Sequence, residues 1–227
     1  MSEKQVAIVV GAGPGLGNAL VQRFAEAGMA VAAVSRKGVA PEPRQRSAVP
    51  RGYACDATSS DQVKTTFERV AAELGPPDLV VFNVGTWDRA GILEISDELF
   101  VQAWRTGCFG GFLVGRAAAE AMLPRGRGTI IFTGATGSIR GSAGFAAFAV
   151  PKFGLRALAQ SMARELGPKG VHVAHVIIDG MIGQEDGAPP EDVLKPAEIA
   201  EAYYALHTQK RSAWTHEIDL RPSVEKF

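Results

Sequence analysis

The chain has 227 residues and balances 24 Lys+Arg against 24 Asp+Glu, for a formal net charge of zero at pH 7. That balance argues against a protein that grips nucleic acid or an anionic membrane through bulk charge. With 46% hydrophobic and 21% charged residues the chain is not disordered, and its length suits one domain, 1–227, with a substantial core.

Val6–Val10 is a continuous apolar run, read as a buried strand. Five residues are too few for a leader or a membrane span, so a cytoplasmic protein is expected. Gly11-Ala12-Gly13-Pro14-Gly15-Leu16-Gly17 follows directly and opens a helical pattern over 16–27 that ends at Gly28. Glycines permit tight, positive-φ turns and let a ligand approach without a Cβ in the way. The helix start then offers free N–H groups and partial positive charge to a pyrophosphate. Such a strand–turn–helix predicts a dinucleotide site.

A second strand is read over 30–34. Segment 36–52 carries Arg36, Lys37, Arg44, Arg46 and Arg51 against Glu42 alone, with Pro41, Pro43 and Pro50. Three prolines disfavour a helix, so an exposed basic loop is expected, either solvated or shaped for an anion. Tyr53 precedes a third strand, after which come Cys55-Asp56-Ala57. A helix over 60–74, capped by Ser59 or Ser60, leads to the strand Leu79–Phe82 and to Asn83-Val84-Gly85. Trp87-Asp88 either lines a pocket or packs a loop. The pattern continues with a helix over 97–123 capped by Ser96, a strand over 129–133, a helix over 153–166 and a strand over 172–178. Trp214 to Leu220 alternates weakly, as a final strand would. This alternation implies a doubly wound parallel sheet with helices on both faces and ligands at the carboxyl ends of the strands. Cys55 and Cys108 are read as reduced, buried thiols, although a single bridge stays open. His172, His175, His207 and His216 have no metal-ligand spacing, and no metal is expected.

The spacing of Gly11, Gly15 and Gly17 is GxxxGxG rather than GxGxxG, and it resembles the short-chain dehydrogenase/reductase family. Asp56 falls where that family's Asp meets the adenine, and Ala57 beside it. Asn83-Val84-Gly85 is similar to the family's Asn-Ala-Gly segment beside the cofactor. Lys152 resembles the active-site lysine that holds the nicotinamide ribose. Asp179-Gly180-Met181-Ile182 takes the place of a Pro-Gly segment, which would bring the backbone near Ile182 to the carboxamide. The resemblance thus implies a Rossmann-type domain with Gly11, Gly13, Gly15, Leu16, Gly17, Ser35, Arg36, Asp56, Ala57, Asn83, Gly85, Lys152 and Ile182 around a dinucleotide. Where an NAD site usually carries an acid after the second strand, this chain has Ser35 followed by Arg36 and Lys37. NADP is therefore favoured over NAD.

The resemblance also exposes a gap. The family's proton donor is a Tyr four residues before the Lys, a position that here holds Phe148. Its oxygen-polarising Ser lies thirteen residues earlier, at Ala135, and the relay Asn falls at Gly107. Phenylalanine has no ionisable proton. Losing a general acid costs ~10²–10⁴ in rate, and losing an oxyanion donor ~10²–10³. Tyr53, Tyr203 and Tyr204 are too distant in sequence to substitute, and Phe145 occupies the alternative position seven before Lys152. Thr136 and Ser138 are the nearest hydroxyls, with Ser138 the candidate polariser. Two functions follow. One is an atypical NADP-dependent oxidoreductase acting on a small carbonyl or activated double bond. The other is a catalytically silent dinucleotide-binding protein serving as a redox sensor or partner subunit. The resemblance also implies a homodimer or homotetramer through 97–123 and 153–166, with Gly111 and Gly115 on the former.

Overall fold

A computed structural model of the chain describes residues 4–43, 49–183 and 191–224; Arg44 and Arg46 of the basic segment lie outside them. The strands β1 (Val6–Val10), β2 (Ala30–Ser35), β3 (Arg51–Ala54), β4 (Leu79–Phe82), β5 (Gly128–Thr133), β6 (Val171–Ile178) and β9 (Glu217–Leu220) form one sheet. Its order is β3-β2-β1-β4-β5-β6-β9, and every pairing is parallel. A separate two-stranded ribbon pairs β7 (Met181–Ile182) with β8 (Val193–Leu194).

Period-two alternation sends side chains to both faces. On one face Ile8, Phe82 and Phe132 pack against α2 (Ser60–Glu73), α4 (Gly110–Met122) and α5 (Ala146–Leu166). On the other, Val9, Val81 and Ile131 meet α1 (Leu16–Glu26) and α6 (Pro196–Thr208) through Leu20, Phe24 and Tyr203. Each large apolar side chain withdrawn from water contributes ~1.5–3 kcal/mol. Ser59 rather than Ser60 caps α2, accepting from Gln62 N at 3.4 Å, and Ser96 accepts from Leu99 N at 3.2 Å to cap α3 (Asp97–Trp104).

Three elements differ from the expectation. Tyr53 lies inside β3, because Arg51 and Gly52 already pair with Ala32 and Ala33. The helix expected over 97–123 divides into α3 and α4 around a π-helical turn, Arg105–Phe109. Finally, α5 starts at Ala146 and accommodates Pro151 in its interior. A proline there loses one backbone bond and crowds the preceding turn. The π-helical turn packs against it: Pro151 is buried, and a Cβ at Gly107 would lie 3.0 Å from its ring. The glycine at the centre of the π-turn therefore makes room for the proline.

Candidate functional site

At the carboxyl ends of β1, β2, β3 and β4 lies a cavity of about 510 Å³, lined by Gly11, Gly13, Ser35, Arg36, Asp56, Ala57, Asn83 and Gly85 among others. The turn after β1 is shaped by steric need. Gly11 has φ +94°, and a Cβ on it would lie 2.5 Å from the Asn83 carbonyl oxygen. A Cβ on Gly17 would sit 2.2 Å from the Gly11 oxygen, whereas at Gly13 and Gly15 the space is open. Two glycines thus close the turn and two leave it accessible. The first turn of α1 has neither a side-chain cap nor an acid, an arrangement suited to an anion.

Around this turn the polar groups are fixed by local bonds. Asn83 Nδ2 donates to the Gly11 oxygen at 3.2 Å. Asp56 accepts from the Thr58 amide (2.9 Å) and hydroxyl (2.8 Å), and these bonds, helped by Arg36 and Arg105, hold its carboxyl below the usual range. Ser35 Oγ accepts from Gly38 N at 3.1 Å, closing the turn that precedes the basic segment.

A second cavity, about 260 Å³, is lined by Trp87, Ala135, Thr136, Gly137, Arg140, Phe145, Phe148 and Met181 among others. Trp87 packs edge-on against Phe148 and Phe145, with centroids 4.9 and 5.3 Å apart. One turn beyond Phe148 on α5, Lys152 is buried and donates to the Thr133 carbonyl at 2.8 Å. Burial lowers its ammonium to about 8. A Cβ on Gly85 would lie 3.4 Å from Lys152 Nζ, so Lys152 borders the end of the Asn83-Val84-Gly85 segment.

Ser138 is fully buried. Its Oγ accepts from Ala135 N at 3.1 Å and lies 3.4 Å from His175 Nε2; His175 Nδ1 meets Glu217 at 3.0 Å, and Glu217 is bound in turn by Arg156. Burial lowers His175 to about 4, so the ring is neutral at pH 7. Ser138 thus braces the Ala135 backbone from behind and does not line the pocket. A further cluster holds Asp179, only 1% exposed: Arg140, Arg221 and the Thr136 hydroxyl all bind its carboxylate.

Not every expected residue reaches a cavity. Leu16, Gly15 and Gly17 shape the turn from outside the lining, and Ile182, 37% exposed in the β7–β8 ribbon, lines neither cavity. Gln102 and Thr106, joined at 3.0 Å, enter the first cavity from α3 and the π-turn; nothing in the periodicity of that helix singles them out. The tyrosines are engaged elsewhere. Tyr53 donates to Glu73, Tyr203 shares a bond with Thr133 Oγ1, and Arg23 lies over Tyr204. Both cysteines are free, with burial raising their thiols. Among the described residues no cluster of three His, Cys, Asp or Glu could hold a metal, and no helix is long and apolar enough to cross a membrane. A cavity of about 530 Å³ also opens at the opposite rim, beside Asp78, Arg127 and Trp214. Ligands of parallel sheets gather at the carboxyl ends instead.

Comparison with known proteins places these cavities in context. Residues 5–184 match the family described as short chain dehydrogenase. The 3-oxoacyl-[acyl-carrier-protein] reductase MabA of Mycobacterium tuberculosis is 31% identical over 207 residues, covering 85% of this chain and 81% of that protein. A short-chain dehydrogenase from Rhodopseudomonas palustris superimposes with a TM-score of 0.86 at 42% identity, covering 96% of this chain and 98% of that one. An alcohol dehydrogenase from Thermococcus sibiricus, complexed with 5-hydroxy-NADP, gives a TM-score of 0.88 at 25% identity over 99% of each chain.

Proposed function

The chain belongs to the short-chain dehydrogenase family, and we propose that it binds NADP(H) in the Gly11 cavity and acts on a small carbonyl or activated double bond in the adjoining aromatic pocket. The carrying observation is the convergence of Gly11, Gly13, Ser35, Arg36, Asp56, Asn83 and Gly85 on one cavity, with Lys152 bordering Gly85. The fit is physical. Open space at Gly13 and Gly15 leaves the backbone approachable, the start of α1 is uncapped, and Arg36 supplies positive charge where a 2′-phosphate would sit. When bound, the nicotinamide supplies or accepts the hydride.

The chain's own residues then bind, orient and exclude water. Lys152, anchored on Thr133, holds the ribose side of the site and carries the one transferable proton among the residues that the family resemblance brings forward. Phe148 and Ala135, at the family's Tyr and Ser positions, contribute shape but no proton. The reaction therefore relies on a substrate that needs little acid help, with protonation by water or by the substrate itself. Ser138 acts as a positioning residue: it ties the Ala135 amide to His175.

A second reading is dinucleotide binding without turnover, as a sensor or partner subunit. The packing of Phe148 against Trp87 favours it, since that cluster fills the acid's place with apolar surface. Titrating NADPH by its fluorescence and then following oxidation with ketones, quinones and enones separates the two. Saturable binding with turnover supports the first, binding alone supports the second, and no binding at millimolar NADPH contradicts both. For assembly we propose a homodimer or homotetramer through α3, α4 and α5, where Trp104, Phe112, Val150 and Phe153 are each about two-fifths exposed. Sedimentation of a monomer at micromolar concentration would refute it.

A further inference from the structure

We propose that the aromatic pocket selects a small planar substrate carrying a carboxylate, with Arg140 as its anchor; this rests on the reading of that pocket as the substrate site. Arg140 is the one charged side chain among the described residues that line the pocket. Its Nη2 spans Asp179, at 3.2 Å from Oδ1 and 3.1 Å from Oδ2, while Nη1 and Nε make no hydrogen bond to the described residues. The guanidinium is thus held in place by one edge and keeps donors on the other.

The cluster of Arg140, Arg221, Asp179 and Asp219 is formally neutral, and it is exposure that decides which charge a ligand meets. Asp179 is answered by two guanidiniums, Arg140 and Arg221 at 2.8 Å, and by the Thr136 hydroxyl. Arg221 is also paired with Asp219 at 2.7 Å. Asp179 is nearly inaccessible, whereas the Arg140 side chain is 44% exposed, so an incoming anion meets the cation and not its partner. A second guanidinium, Arg89, lies 5.6 Å over the Phe145 ring at the rim. No acid lines the pocket among the described residues.

The remaining walls describe the rest of the ligand. Trp87, Phe145 and Phe148 present ring faces and edges, and Met181 adds a polarizable thioether. The volume, about 260 Å³, lies just under the ~300–1,000 Å³ of pockets for drug-sized ligands. A single ring or conjugated chain with one acidic substituent fits that description. A planar guanidinium recognises a carboxylate with directional, charge-assisted bonds, worth about ten-fold or more in affinity.

Calorimetry on the free chain, and again with NADP+ present, tests this without requiring turnover. The probes are phenylglyoxylate and cinnamate, each against its neutral methyl ester. The acids should bind at least ten-fold tighter than their esters, and Arg140→Gln should erase that preference while leaving ester affinity within two-fold. Arg140→Lys should retain part of it. Equal binding of acid and ester to the natural chain, or binding of neither, overturns the assignment. So does an acid preference that survives in Arg140→Gln. If that variant does not fold, loss of the acid preference in the natural chain between 0.05 and 0.5 M salt is the expected result, and an unchanged preference overturns it. An enzyme without turnover that still prefers the acids would refute the proposed reaction while sustaining this inference.

Discussion

The proposed nucleotide half of the cleft and its proposed reacting half are built by different means. The first is assembled from the backbone: a Cβ on Gly11 or Gly17 would lie 2.5 or 2.2 Å from a main-chain oxygen, and Asp56, Asn83 and Ser35 are each held by a bond to a near or facing main-chain group. The second is assembled from side chains that meet across long sequence distances, including the Trp87–Phe145–Phe148 cluster and the Asp179 and His175 networks. A backbone cradle can be retained while the chemistry beside it changes, since few of its members carry reactive groups. Side-chain networks have no such freedom, because removing one partner leaves a buried polar group unpaired.

The largest expected effect comes from attacking the cradle. Gly17→Val inserts a branched side chain where even a Cβ meets the Gly11 oxygen. NADPH affinity should fall by ~100-fold or more, or the fold should fail; fluorescence titration with a melting curve reads both. Unchanged affinity would mean that the turn is not the cradle.

Lys152 joins the two halves, and its burial has a measurable sign. In the folded chain it loses its proton near pH 8, whereas the unfolded chain keeps it to about 10.4. Stability should therefore rise with pH through that window. Lys152→Met should stabilise the chain at pH 7 by up to about 3 kcal/mol, with the gain fading above pH 10, while any turnover is lost. Urea unfolding at several pH values checks this. A destabilised variant at pH 7 would show that the bond to Thr133 outweighs the desolvation.

On the reacting side, His175 is neutral when folded down to about pH 4, against an ordinary value near 6.5. Its contribution is complete above 6.5 and disappears as pH falls through 6.5 toward 4, a loss of up to about 3 kcal/mol. Glu217, held low first by its bond from Arg156, adds loss only below the ordinary carboxylate range. His175→Gln should flatten the upper part of that acid limb in urea titrations. The smallest effect is selectivity. Arg36→Ala should weaken NADPH by ~10-fold and leave NADH unchanged, and equal loss for both would remove Arg36 from the 2′-phosphate site.

The same division explains how much could be read beforehand. The glycine turn was legible because consecutive residues record a local backbone demand, and Asp56 and Asn83 were legible through the family resemblance. Asp179 and Arg221 are brought together by the β6–β9 parallel pairing, as are His175 and Glu217, while Arg140 comes from the segment after β5, which pairs with β6 on its other side; residues so far apart leave no local periodic signature. The π-turn at Arg105–Phe109 was hidden because the apolar pattern continues on both sides of it. The helix expected over 153–166 begins earlier, at Ala146, with Pro151 inside it beside Gly107, a long-range contact that the local pattern does not record.

The central claim is that a working nucleotide cradle adjoins a pocket lacking its proton donor and oxygen polariser. The double substitution Phe148→Tyr with Ala135→Ser measures it most directly, by NADPH oxidation with a panel of ketones and 2-oxoacids. NADPH affinity should be unchanged and carbonyl reduction raised by ~10²–10⁴-fold over the natural chain. A folded double variant that binds NADPH as before but gains no reduction would contradict it, since Lys152 and the nicotinamide would then not be in register with Phe148.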